Sequence, residues 1–199
     1  ILLYATNGGN LSSTAVVRSF LYNKPYGTFT QIDESLNLEV MRFRHYHLNP
    51  GDQGDGLRLA LDAGTGTEVI IAATDSGQVI TRDRVAGGMR WNTGSALGTG
   101  GNVGDERGFS VDISRGTYNF SAARSVVVGS PGHGSNNEGK FEIWYRQVNY
   151  GGQSNSLSLS ATVVGNANEN IGSAVAMNYS GNYIAVGVPS HNSDQGSVR

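Results

Sequence analysis

Three stretches of the chain share one hydrophobic pattern: a Gly-led strand of alternating polar and apolar residues, then an uninterrupted apolar run. They are Gly56-Leu57-Arg58-Leu59-Ala60-Leu61 with Val69-Ile70-Ile71-Ala72-Ala73, Gly108-Phe109-Ser110-Val111-Asp112-Ile113 with Val126-Val127-Val128-Gly129-Ser130-Pro131, and Gly172-Ser173-Ala174-Val175-Ala176-Met177 with Ile184-Ala185-Val186-Gly187-Val188-Pro189. Ala72 and Gly129 are 57 residues apart and Gly129 and Gly187 are 58 apart, while the loops between them differ in length. A period of this size marks one supersecondary unit that buries its apolar faces only against neighbouring copies.

The second copy predicts four strands in full. Ser110-Val111-Asp112-Ile113 leads to Val126-Val127-Val128, then to Lys140-Phe141-Glu142-Ile143-Trp144-Tyr145 and finally to Ser156-Leu157-Ser158-Leu159-Ser160-Ala161-Thr162-Val163. Alternation of Phe141 with Ile143, and of Leu157 with Leu159, predicts one apolar and one solvent face, whereas the Val and Ile runs suit burial on both faces. No apolar period of 3.6 persists over three turns, so little or no helix is expected. Gly before Pro at the end of the buried run predicts a strand end where a Cβ would crowd the neighbouring unit, because Pro has no N–H to continue the ladder.

Tandem four-stranded units predict an all-β protein, a β-propeller segment of about three four-stranded blades. The divisions expected are a partial blade with connecting strands over 1–49, blades over 50–100 and 101–164, and an incomplete blade over 165–199. The chain starts at Ile1 and stops inside an expected strand, Gly196-Ser197-Val198-Arg199, and so reads as a piece of a larger propeller.

The phrases Gly108-Phe109-Ser110-Val111 with Val127-Val128-Gly129-Ser130-Pro131, and Ile171-Gly172-Ser173-Ala174 with Ala185-Val186-Gly187-Val188-Pro189, resemble the Phe-Gly and Gly-Ala-Pro signatures of FG-GAP repeats, the blades of integrin α-subunit propellers. The resemblance runs from about Pro50 onward and includes Gly-rich, acid-containing lead-ins at 51–56, 101–106 and 165–170. It implies an extracellular or cell-surface module for cell adhesion, recognition or surface structure. Calcium loops are common in that family, but the corresponding turns here supply too few oxygens for a cation that takes six or more. Asp62 and Glu68 of the first turn are the weak metal candidates, and no cofactor is expected.

Composition refines this picture. With 29 Gly, 15% charged residues and 38% hydrophobic residues, the chain is turn-rich and folded rather than disordered. A net charge of −2 gives no electrostatic reason to expect nucleic acid. Zero Cys excludes a disulfide framework, and no apolar stretch is long enough to span a bilayer. His45-Tyr46-His47 with Asp52 and Asp55 has no third ligand fixed by spacing, and Arg42-Phe43-Arg44 reads as a charged edge strand. No nucleophile elbow, phosphate-cradling loop or carboxylate pair proposes a reaction, so a non-catalytic chain is expected.

In a blade, the loop between the second and third strands shares a rim with the connection into the next blade. That geometry predicts a ligand-binding rim containing His133, Asn136, Asn137, His191, Asn192 and Asp194, with the two His residues at matching places after Pro131 and Pro189. Its partner would be a protein or a glycan, or another copy meeting the blade edges. Asn-x-Ser sequons at Asn10, Asn119 and Asn178 are candidate glycosylation sites, although their number is near chance for this composition. Two alternatives stand beside the adhesion reading. One is a structural subunit of a glycosylated extracellular filament or coat, and the other is the propeller portion of a larger hydrolase.

Overall fold

The structure, a computed structural model, describes the backbone at residues 2–7, 14–23, 28–31, 36–42, 58–62, 69–73, 77, 79–83, 95–98, 101–102, 104–114, 117–118, 121–122, 124–146 and 157–199, and side chains at 77, 79–81, 96–98, 101–102, 104–114, 125–145 and 157–199. Strands β1 (Leu2–Asn7), β2 (Thr14–Asn23), β3 (Thr28–Gln31) and β4 (Leu36–Arg42) form a first sheet centred on β2. The second holds β5 (Arg58–Asp62), β6 (Val69–Ala73), β7 (Val79–Asp83) and β8 (Ser95–Ala96) in chain order. After β9 (Ser110–Ile113), the stretch 114–125 contains a small hairpin, β10 (Thr117–Tyr118) with β11 (Ser121–Ala122). The third four-stranded sheet is β9, then β12 (Arg124–Ser130), β13 (Lys140–Arg146) and β14 (Ser158–Val164). A last sheet comprises β15 (Val175–Met177), β16 (Ile184–Val188) and β17 (Ser197–Val198).

Every pairing within these sheets is antiparallel between chain neighbours, except that β4 returns to β2 and that β9 pairs with β12 across the inserted β10–β11 hairpin. The first strands β5, β9 and β15 pack on one another in succession. Meandering sheets stacked through their first strands are the arrangement of propeller blades, and the chain is an all-β propeller segment.

Apolar runs behave as their composition dictates. Val126, Val127 and Val128 are each 0% exposed, because β12 lies second in its sheet with blades on both sides. One core joins Val126, Val128, Ile113 and Trp144 to Val79 and Leu97 of the preceding blade. The other joins Ile171, Val186 and Val188, with Phe141 of the preceding sheet packed against them.

Two expectations about alternation need correction. The face of β13 carrying Glu142 and Trp144 was expected to meet solvent, yet both are buried, since the preceding blade covers that face. Leu157 packs on the core, but Leu159 is exposed, because β14 is the outermost strand of its sheet. A bulge leaves Ser160 unpaired between the Trp144–Leu159 and Ile143–Ala161 partners, so the alternation switches face halfway along β14.

Glycine at the blade seam follows from close backbone approach. A Cβ on Gly129 would lie 2.1 Å from the Gly172 carbonyl oxygen of the next blade, as the signature around Pro131 predicts. Gly139, at a φ of 70°, forms a parallel bridge with Ile171, and a Cβ there would stand 2.4 Å from the Ile171 nitrogen. The seam is therefore built from backbone against backbone.

Candidate functional site

Both lead-in segments close into the same turn. Asp105 donates its N–H to Asn102 O at 3.1 Å and accepts the Asn102 N–H on Oδ2 at 3.2 Å. Glu169 donates to Asn166 O at 3.1 Å and accepts the Asn166 N–H on Oε2 at 2.8 Å. A carboxylate three residues after an Asn thus organises each turn around its own backbone.

The loop between the second and third strands then meets that acid through its histidine. His191 Nδ1 is 2.8 Å from Glu169 Oε1, and His133 Nδ1 is 3.2 Å from Asp105 Oδ2. Arg199 donates from Nη1 to Glu169 Oε2 at 3.2 Å and from Nη2 to Oε1. The Asn166 N–H, His191 and Arg199 together hold the Glu169 carboxyl down to about 2, against the smaller opposing effect of burial.

The expected rim residues come together, with different partners. Asn136 accepts the Asn168 N–H at 2.7 Å and Asn137 accepts the Asn170 N–H at 2.9 Å, both through backbone carbonyls, so this loop is stapled to the next lead-in. Asn136 also donates its N–H and its side-chain Nδ2 to Glu138, at 3.0 and 3.1 Å. The backbone N–H groups of Glu138 and Asn136 hold the Glu138 carboxyl below its ordinary range. Asn192 donates to Gln195 Oε1 at 2.7 Å inside the turn His191–Asp194, where Asn192, Ser193 and Asp194 all have left-handed φ. Among the described residues, the non-glycine positions with positive φ are Glu106, Asn137, Asn168, Asn170, Asn192, Ser193 and Asp194, and all lie on this rim. Such conformations cost energy outside glycine and persist where the surroundings fix them.

Beneath the rim lies a charged cluster that sequence reasoning missed. Arg107, buried, donates from Nε and Nη2 to Glu142 Oε2 at 3.1 and 2.7 Å. It also donates to the carbonyls of Gly77 at 2.9 Å and Leu97 at 2.8 Å in the preceding blade. Trp144 Nε1 donates to the same Glu142 oxygen at 3.1 Å, the Arg107 guanidinium lies 5.9 Å from the Trp144 ring centroid, and Lys140 Nζ is 3.2 Å from Glu142 Oε1. Burial pushes the Glu142 carboxyl up, but the Arg107 guanidinium, Trp144 and Lys140 outweigh it and leave it below the ordinary range. In the next copy Ile171 stands where Arg107 stands, Arg199 pairs with Val186 as Glu142 pairs with Val128, and the lead-in acid Glu169 supplies the negative partner. The two blades thus carry opposite charges at the Glu142 and Arg199 position and draw the partner from different places in the lead-in, Arg107 in one and Glu169 in the other.

Other candidates are not joined to the rim. Asn178 lies in the exposed turn between β15 and β16, where its Nδ2 donates to Ser180 Oγ at 2.9 Å and its Oδ1 accepts the Tyr183 N–H at 3.0 Å. Asp62 ends β5, paired with Val69. Asn10, Asn119, Glu68, His45, His47, Asp52, Asp55 and Arg44 lie outside the described residues. Among the described residues no helix is long and apolar enough to cross a membrane.

No protein-family model matches the sequence, and no curated protein matches it. Solved structures do match. The NanB sialidase of Streptococcus pneumoniae, bound to a chlorobenzylammonio-ethanesulfonate, aligns over 99% of this chain and 27% of its own length, with 14% identity and a TM-score of 0.51. A point mutant of that sialidase aligns over 98% of this chain and 27% of its own, again at 14% identity, with a TM-score of 0.52. The intramolecular trans-sialidase of Ruminococcus gnavus, in complex with oseltamivir carboxylate, aligns over 88% of this chain and 32% of its own at 14% identity and a TM-score of 0.44.

The likeness is one of fold. These structures are sialidase propellers and not FG-GAP proteins specifically, and this chain spans about a quarter of the streptococcal enzyme. They overturn the expectation of a non-catalytic chain, which rested on motif absence alone: the solved structures whose blades these resemble are enzymes.

Proposed function

We propose that this chain is the propeller portion of a larger hydrolase acting on glycans outside the cell or at its surface. The observation that carries this reading is the alignment of nearly the whole chain, 99%, with the blades of a sialidase. The rim chemistry supports it. Asn136, Asn137, Asn192 and Asp194 are exposed, and their amide and carboxylate groups are suited to paired sugar hydroxyls. The backbones of Asn136 and Asn137 are held by the hydrogen bonds from Asn168 and Asn170, the Asn192 side chain by its bond to Gln195, and Asn137, Asn192 and Asp194 by left-handed turns, so little ordering entropy is lost on binding.

The test is turnover of methylumbelliferyl glycosides by the protein, beginning with the sialoside and extending to galactoside and N-acetylhexosaminide. Release of umbelliferone above a heat-denatured control, with KM raised several-fold when Asn136 and Asn137 are both changed to Ala, is the expected result. Absence of turnover with every glycoside, together with absence of saturable glycan binding by calorimetry, overturns the proposal.

A further inference from the structure

The turn between β15 and β16 lies at the end of the blades opposite the rim, because antiparallel strands alternate in direction and the turn after a first strand leaves the sheet at the other end from the turn after a second. It carries Asn178-Tyr179-Ser180, an Asn-x-Ser acceptor sequence whose three residues are all exposed. Its inner side is anchored. A Cβ on Gly181, at a φ of 73°, would lie 2.6 Å from Ser114 Oγ and 3.1 Å from Ser125 Oγ of the preceding blade.

The two ends of the Asn178 amide have separate roles. Oδ1 accepts the Tyr183 N–H at 3.0 Å, and the backbone closes the turn through Asn178 N–H to Tyr183 O at 3.1 Å and Gly181 N–H to Asn178 O at 3.0 Å. Nδ2 donates to Ser180 Oγ at 2.9 Å, within the acceptor sequence itself. A sugar on Nδ2 replaces one of its two hydrogens and leaves Oδ1 as the acceptor that holds the turn.

The neighbour across the turn is aromatic. Met177 pairs with Ile184, so Asn178 and Tyr183 are the next residues opposite each other. Side chains directly opposite in an antiparallel pair share a face, with Cβ atoms about 5 Å apart. Tyr183 is 76% exposed, more than any other large hydrophobic residue among those described, and Tyr179 of the same turn is also exposed. A ring left in water beside an acceptor asparagine is placed to cover the apolar face of an attached sugar.

We propose that Asn178 carries an N-linked glycan whose first N-acetylhexosamine packs on Tyr183. This rests on the proposed function only in taking the protein to be extracellular. In the transfer, Nδ2 attacks the anomeric carbon of a polyprenyl diphosphate-linked oligosaccharide: the nitrogen–carbon bond forms, the carbon–oxygen bond to the diphosphate breaks, one Nδ2 proton is lost and the lipid diphosphate leaves. The glycan covers the end of the blades away from Asn136 and Asn137, so it shields the tyrosine and leaves the rim open.

The experiment directs the protein through the secretory route of cultured eukaryotic cells, removes glycans with peptide N-glycosidase in heavy-oxygen water and sequences the peptide containing Asn178 by mass spectrometry. Conversion of Asn178 to labelled aspartate in most molecules is expected, and Ser180→Ala should abolish it while keeping the Asn178 Oδ1 bond to Tyr183. Cleavage of the glycan from the folded protein should be several-fold faster in Tyr183→Ala, with occupancy unchanged. An unmodified Asn178 in the secreted protein, or equal cleavage rates with and without the Tyr183 ring, overturns the proposal. Glycoside turnover by protein found unmodified at Asn178 removes this proposal alone and leaves the hydrolase reading standing.

Discussion

At the scale of single residues, the buried pair of Arg107 and Glu142 shows how a blade differs from an ordinary half-exposed sheet. The guanidinium satisfies one carboxylate and two carbonyls of the preceding blade at once, so it fixes the position of one sheet against the other. Truncating it with Arg107→Ala leaves Glu142 buried with Lys140 and Trp144 as its remaining partners, and the expected loss is about 3–5 kcal/mol in a urea unfolding experiment. Replacing both partners by apolar residues, Arg107→Met with Glu142→Leu, should restore only part of that loss, because it removes the uncompensated charge but leaves the Gly77 and Leu97 carbonyls and the Trp144 N–H without these partners. This pair was not legible in the sequence, for a physical reason. The alternation of Lys140, Phe141, Glu142 and Ile143 normally marks one wet face, but a strand between two blades has no wet face, so the polar positions had to find charged partners far along the chain. His133 and His191 were legible as a matched pair from their spacing after Pro131 and Pro189. Their acids were not singled out, although an Asn followed three residues later by Asp or Glu in successive copies, Asn102 with Asp105 and Asn166 with Glu169, was the available signal.

At the scale of elements, the strands themselves were readable because β-branched runs and Gly punctuation act locally. The bulge at Ser160 was not, since it depends on how β14 must follow the twist of β13. The seam between blades separates two roles of glycine that the sequence cannot distinguish. Gly139 and Gly104 both have left-handed φ, 70° and 96°. A Cβ at Gly104 would meet nothing within 4 Å, whereas at Gly139 it would meet the Ile171 and Asn170 backbone at 2.4 to 2.7 Å. Gly104→Ala should therefore cost only the backbone penalty of about 1–2 kcal/mol. Gly139→Ala adds a clash that neither chain can relieve by rotating a side chain, so its loss should exceed that of Gly104→Ala. Thermal unfolding of the two variants side by side measures the difference, and equal losses would show that the Gly139–Ile171 bridge is not a fixed contact.

At the scale of the whole molecule, the question is whether blades stabilise one another only through the seam they share. In stacked-repeat architectures stability is close to a sum of terms within units and between nearest neighbours. Trp144 tests this because it belongs to β13 yet packs with Val79 and Leu97 of the preceding blade, while β16 of the following blade is packed through a separate core at Ile171. Trp144→Ala should cost about 3–5 kcal/mol, the usual range for emptying a buried aromatic site, and it also withdraws a hydrogen bond from Glu142. If coupling is local to the seam, amide protection should fall together in β7 and β13 and much less in β16. A uniform fall across all three strands would instead mean that the blades unfold as one cooperative body.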